Sequence, residues 1–203
     1  MTAPPSAKKP WPMKWIVLAI ALFIPIYTYL TLHFRRPGPM FSPYGDMRDR
    51  ADVIRLLKAG YQRVAIEAAR PADPVSLGRG QTSPARGGLP DELGKTLIEK
   101  PLLPLEITSV SAAPSATAGI DYSIAFAYML PDNKRQLSGA HVYVRPGELV
   151  VVADFEHLGG GLLARNRDGS ALLTIPPGTL KPGTYRATLV GERASQSWTL
   201  QVR

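Results

Sequence analysis

The sequence predicts a mainly β protein with one apolar amino-terminal helix, a short helical region beside it, and a carboxy-terminal antiparallel β-sandwich. Three observations lead there. Residues 15–34 contain no Asp, Glu, Lys or Arg. From about residue 103 onward apolar and polar positions alternate with a period of two, most regularly at Ile120, Tyr122, Ile124, Phe126, Tyr128 and Leu130. Between these parts, residues 70–90 are rich in proline and glycine and show no periodicity.

Composition narrows the function classes. A chain of 203 residues accommodates one ordinary domain with attachments. The absence of cysteine excludes disulfide scaffolds, thiol catalysis, iron–sulfur clusters and cysteine zinc sites. A hydrophobic content of 45% is too high for a disordered chain. The net charge of +8 is local: residues 1–100 hold 15 Lys/Arg against 8 Asp/Glu, residues 101–203 hold 9 against 8. The nearly neutral second half offers no basic face, so nucleic acid is not an expected partner.

Taken in order, residues 1–14 hold four prolines and read as a flexible tail. Residues 15–34 read as a transmembrane helix, long enough at about 1.5 Å per residue to cross a bilayer core of about 30 Å. Trp15 marks one end and Tyr29 and Phe34 the other, as interfacial aromatics do, and Pro25 introduces a kink that lipid tolerates. The apolar run ends in His33-Phe34-Arg35-Arg36, without the small-x-small site of a cleaved signal peptide, so an anchor in the lipid bilayer is expected. Lys8, Lys9 and Lys14 before the span nearly balance Arg35, Arg36, Arg48 and Arg50 after it. The expected topology is single-pass with the carboxy-terminal domain outside the cytoplasm, on the periplasmic side if the source is a Gram-negative bacterium.

Residues 35–69 begin with the Pro/Gly break RRPGPMF and continue into a juxtamembrane helix. Ser42 suits its N-cap, Pro43 its first position and Gly60 its C′ position. Met47, Ala51, Ile54 and Leu57 recur at helical spacing, widened by Val53 and Leu56. The polar side mixes signs, which favours packing of the stripe on the β-domain or a partner over an amphipathic helix lying on the membrane. Residues 61–68 alternate as a short strand. Residues 70–102 form the linker, with a brief helix over 91–99 that turns Leu93, Leu97 and Ile98 inward.

Residues 103–203 form the β-sandwich, with strands expected at 105–112, 120–130, 140–145, 148–156, 162–165, 170–175, 184–190 and 197–202. Turn signals such as Pro131-Asp132-Asn133, Pro146-Gly147 and Asp168-Gly169 separate them. The last hairpin turns Tyr185, Ala187 and Leu189 inward opposite Trp198, Leu200 and Val202. Tyr185, following Leu180-Lys181-Pro182-Gly183-Thr184, resembles the corner tyrosine of immunoglobulin-like domains, which makes the expected sandwich immunoglobulin-like. In layout the chain also resembles small bacterial accessory and assembly proteins of respiratory oxidases, which pair one amino-terminal helix with a small β-sandwich. That likeness lies in architecture and carries no residue across.

No phosphate loop, dinucleotide fingerprint, HExxH or nucleophile elbow is present, so neither an enzyme nor a cofactor is expected. The expected role is a membrane-anchored, non-enzymatic module for protein–protein interaction, an accessory subunit or assembly factor of a membrane complex. The partner is a membrane protein that the sequence does not name. The alternative is an extracytoplasmic copper-handling protein using His141, His157 and Met129 with Asp154 or Glu156, because imidazole and thioether ligands suit copper.

Overall fold

A computed structural model describes residues 12–34, 43–71 and 80–203, with side chains described at all of these except 32–34 and 43–46. The expected tail over residues 1–11, the break at 35–41, the Ser42 cap and part of the linker lie outside the described residues. The chain divides into two units, Met1–Pro43 and Tyr44–Arg203.

The first unit holds α1 (Met13–Phe34), 22 residues, about 33 Å at 1.5 Å per residue. Its interior proline is Pro25. Phe23 and Tyr27 stack one turn apart with ring centroids 5.7 Å from each other, and the Thr31 hydroxyl donates to the Tyr27 carbonyl at 2.7 Å. Every described side chain of α1 is exposed, including Trp15 and Tyr29, while the Phe34 side chain lies outside the described set. An apolar helix of this length near the amino terminus is compatible with a membrane anchor or a signal sequence.

The second unit is a β-barrel, not a sandwich. Its elements are α2 (Pro43–Lys58), β1 (Gln62–Ala69), β2 (Ser83–Arg86), α3 (Asp91–Thr96), β3 (Glu106–Ala112), β4 (Ser115–Ala116), β5 (Tyr122–Met129), β6 (Arg135–Arg145), β7 (Glu148–His157), β8 (Asp168–Ile175), β9 (Gly183–Leu189) and β10 (Ala194–Val202). The ring runs β10-β3-β5-β8-β1-β6-β7-β9 and returns to β10 through the β9–β10 hairpin, with β2 and β4 added along β10. The β7–β9 and β10–β3 pairings are parallel and the other six pairings of the ring are antiparallel. The immunoglobulin-like sandwich expected from the sequence is therefore corrected. A sandwich leaves sheet edges open, whereas here β1, from before the Pro/Gly-rich stretch, pairs with β6 on one side and β8 on the other and closes the ring. Alternation reports the two faces of a strand and is the same in a sandwich and a barrel, so it does not distinguish them.

Other expectations changed for local reasons. The strand expected over 162–165 is a loop. Gly160 and Gly161 adopt positive φ, and Leu162 and Leu163 are 65% and 64% exposed with no neighbouring strand. Ile98, expected inward, is exposed, although Leu93 and Leu97 are buried. The α2 stripe also faces away from the barrel: Met47, Ile54 and Leu57 are exposed, while Leu56 and Asp52 are the buried positions. Asp52 selects that face by accepting the Ile98 backbone N–H at 2.9 Å. At the other end of α2, Gly60 (φ +79°) closes a Schellman motif, with Gly60 N–H donating to Leu57 O at 3.1 Å and Tyr61 N–H to Leu56 O at 2.8 Å. The accompanying hydrophobic contact is Leu56 with Tyr61, which share one buried cluster.

The barrel interior is packed with side chains. Ile124, Phe126, Val142, Val151, Leu173, Leu189, Trp198 and Leu200 belong to one continuous cluster. Polar atoms within it are paired: the Trp198 indole N–H donates to the Tyr122 hydroxyl at 3.1 Å, which donates to the Ala113 carbonyl at 2.7 Å. The cavity at the Tyr122 end, between Ala116, Ile175, Leu180 and Val202, measures about 10 Å³, room for no more than one water. That end of the barrel has no space for a ligand, which needs several hundred Å³.

Candidate functional site

The outer surface of β1, β6 and β7 carries the densest set of paired charges among the described residues, and alternation puts it there. In β6, Val142 and Val144 point into the barrel, so His141, Tyr143 and Arg145 point out. In β7, Val151 and Ala153 point in, and Val150, Val152 and Asp154 point out. In β1, Arg63 lies opposite Tyr143 and Ala65 opposite His141. Helix α2 contributes Leu56 and α3 contributes Leu93 to the apolar cluster that includes Tyr61, Tyr143, Val150 and Val152, and Leu97, directly after α3, joins it.

Two polar groups flank this cluster. In the first, the His141 Nδ1–H donates to Asp154 Oδ2, and His141 Nε2 accepts from the Arg63 guanidinium at 2.9 Å. Arg63 has only N–H donors, so its bond fixes the tautomer with the proton on Nδ1. The same guanidinium lies 3.7 Å from Asp49 of α2. In the second group, Arg145 bonds Glu148 through Nε and Glu92 of α3 through Nη1. Its guanidinium also lies 4.6 Å from the centre of the Tyr61 ring, whose hydroxyl donates to Glu148 at 3.2 Å. Arg145 is held more firmly in its charged form, first by the hydrogen bond to Glu92 and then by Glu148. Burial, reinforced by the Glu148 charge, pushes the Tyr61 phenol up to about 12. Burial also raises Tyr143 to about 12, against a smaller opposing effect of Arg63.

These arrangements position groups against one another. Both ring nitrogens of His141 are engaged, and Nε2, the nitrogen that would activate a nucleophile, faces a cation. The sequence singled out His141 and Asp154 but not Arg63. Only the β1–β6 pairing brings Arg63 to the imidazole, and no local signal marks that pairing.

Of the suggested copper ligands, His141 and Asp154 meet, while His157, Met129 and Glu156 lie apart from them. His141 lies opposite Val152 of β7, whereas His157 lies five residues further along that strand, about 17 Å at 3.3–3.4 Å per residue. Met129 is on β5, separated from β6 by β8 and β1. Glu156 is occupied with Gln136, whose side-chain amide donates to it at 2.7 Å. Among the described residues no three His, Asp or Glu side chains are grouped to hold a metal ion.

A second surface feature is a groove over β9 and β10 lined by Ser83, Thr184, Arg186, Ser197 and Thr199. The Ser83 and Ser197 hydroxyls are hydrogen-bonded to each other at 3.1 Å. The chain matches no family model, no curated protein and no solved structure.

Proposed function

We propose that the chain is a single-pass, membrane-anchored and non-enzymatic binding module. In this reading α1 holds it in the bilayer and the β-barrel is presented at the membrane surface to a membrane-protein partner, as an accessory subunit or assembly factor. The barrel then lies outside the cytoplasm. The observation that carries the reading is how the interior and the outer face are built. The core is filled, and its cavity at the Tyr122 end is too small for a ligand. On the outer face of β1, β6 and β7 the polar side chains are tied to one another in positioning networks. Such a body suits recognition by its surface better than carriage or turnover of a small molecule. For α1, twenty residues free of charge and without a small-x-small end favour an anchor over a signal sequence.

The test is affinity purification of the full-length chain from its native membranes in mild detergent, with mass spectrometry of the co-purifying proteins. Stoichiometric subunits of a membrane complex are expected. Recovery of the chain alone, at a detergent concentration that keeps known membrane complexes intact, overturns the reading.

A further inference from the structure

Helix α2 sorts its charges by sign. Of its described acidic residues, Asp52 is turned to the barrel and accepts the Ile98 N–H, and Asp49 is paired with Arg63. The basic residues Arg48, Arg50, Arg55 and Lys58 are all exposed, and none forms an ion pair among the described residues. At helical spacing Met47, Arg50, Ile54 and Leu57 form one stripe, with Val53 on one flank and Arg55 and Lys58 on the other. Met47 is 70% exposed, Ile54 55% and Leu57 63%. Once folded, the stripe is an apolar face with Arg50, Arg55 and Lys58 on it or beside it. Asp52 is turned to the barrel, Asp49 meets Arg63 although its own side chain is 72% exposed, and the Asp46 side chain lies outside the described residues.

We infer that this face of α2 docks on an anionic lipid bilayer surface, with Met47, Ile54 and Leu57 entering the headgroup boundary and Arg50, Arg55 and Lys58 meeting lipid phosphates. The occupant follows from charge and chain connectivity. Apolar side chains interspersed with unpaired arginine and lysine are the composition of interfacial helices, and long basic side chains reach the headgroups while their stems stay in apolar surroundings. Eight residues separate the end of α1 from the start of α2, so a bilayer that holds α1 is within about 35 Å of α2 along even a fully extended chain. A soluble protein partner would need a complementary acidic groove. An anionic membrane supplies that charge over its whole surface.

This inference rests on α1 being a bilayer anchor, and the experiment separates the two. The chain has no cysteine, so each introduced cysteine carries a single environment-sensitive fluorophore. Full-length protein with Ile54→Cys, Leu57→Cys, Ile24→Cys or Thr199→Cys is reconstituted into phosphatidylcholine vesicles with and without phosphatidylglycerol. Nitroxide-labelled lipids then report depth. Labels at positions 54 and 57 are expected to be quenched at least about threefold more by shallow nitroxides than the exposed barrel position 199 in anionic vesicles. That quenching is expected to fall by half or more in neutral vesicles, or when salt is raised from about 0.05 M to about 0.5 M. Quenching at 54 and 57 no greater than at 199, with position 24 quenched by deep nitroxides, overturns the docking and leaves the anchor standing. Absence of deep quenching at position 24 overturns both. Quenching that ignores lipid charge and salt overturns the role given to Arg50, Arg55 and Lys58.

Discussion

The inner and outer faces of the β6–β7 hairpin are built from alternate residues of the same two strands, yet they follow different rules. Inward, Val142, Val144, Leu149, Val151 and Ala153 pack with Trp198, Leu189 and Leu173, and stability there depends on volume. Outward, His141, Arg145, Glu148 and Asp154 alternate with Tyr143, Val150 and Val152, and the charges are tied to α2, α3 and β1. The inner face fills the barrel that the β1 pairings close. The outer face decides where α2 and α3 sit, and through α2 which side chains are offered to the surroundings.

The sharpest way to break this comparison is on the inner face. Trp198→Ala removes a side chain that is 4% exposed and also the donor to the Tyr122 hydroxyl, with an expected loss of about 3–5 kcal/mol. Urea unfolding of the full chain in mild detergent measures it. A loss below about 1 kcal/mol would mean that the interior is not close-packed. Alkaline titration probes both faces at once. Burial raises Tyr122, on the inside, and Tyr143, on the outside, to about 12 from an ordinary 10. Folding thus favours the protonated phenols. Their stabilising contribution is complete below pH 10 and is lost as pH rises through 12. Phenolate absorbance should rise late for these residues and coincide with unfolding. Titration of all tyrosines near pH 10 in a still-folded protein would contradict the burial of both faces.

A smaller effect is expected where α2 meets the barrel. Asp52→Ala leaves the Ile98 N–H without its acceptor, a cost of about 1–2 kcal/mol. The change should open α2 selectively. Proteolysis at exposed Arg48, Arg50 and Arg55 should accelerate while the barrel resists. Equal acceleration at sites throughout the barrel would show that α2 and the barrel unfold as one.

What was legible in the sequence follows from range. The strands β3, β5, β7, β8, β9 and β10 were readable because alternation is local, and Tyr185 was readable because its hydroxyl bonds the Lys181 carbonyl, four residues away, at 3.0 Å. That corner survives in a barrel because it does not depend on how the strands close. Closure itself was not legible: β1 looks like any short alternating segment, and its two partners lie about eighty and about one hundred residues downstream. Strand β2 was hidden for a related reason, since Ser83–Arg86 contains a proline and no apolar pattern and pairs only along β10. The site was half legible. His141 attracted notice as a metal-ligand type, but its partners Arg63 and Asp154 are set by pairing and pleat. The α2 stripe was visible as a pattern, but the pattern carries no direction. Asp52 and Leu56 turned it outward.

The least costly change sharpens the comparison most, because it separates positioning from holding. Arg145 makes two ion pairs and a cation–π contact, and a count of contacts would rank it beside Trp198. Its side chain is 31% exposed and its partner Glu92 66% exposed, however, so water and salt compensate most of what is removed. Arg145→Met keeps much of the apolar stem over Tyr61 and is expected to cost no more than about 1 kcal/mol, less at high salt. What should change is the order of α3. Glu92 loses its only described charge partner, and amide exchange over Asp91–Thr96 should speed up while β6 and β7 remain protected. A loss of about 3 kcal/mol or more with uniform loss of protection would erase the distinction, because the outer network would then hold the barrel and not merely place the helices on it.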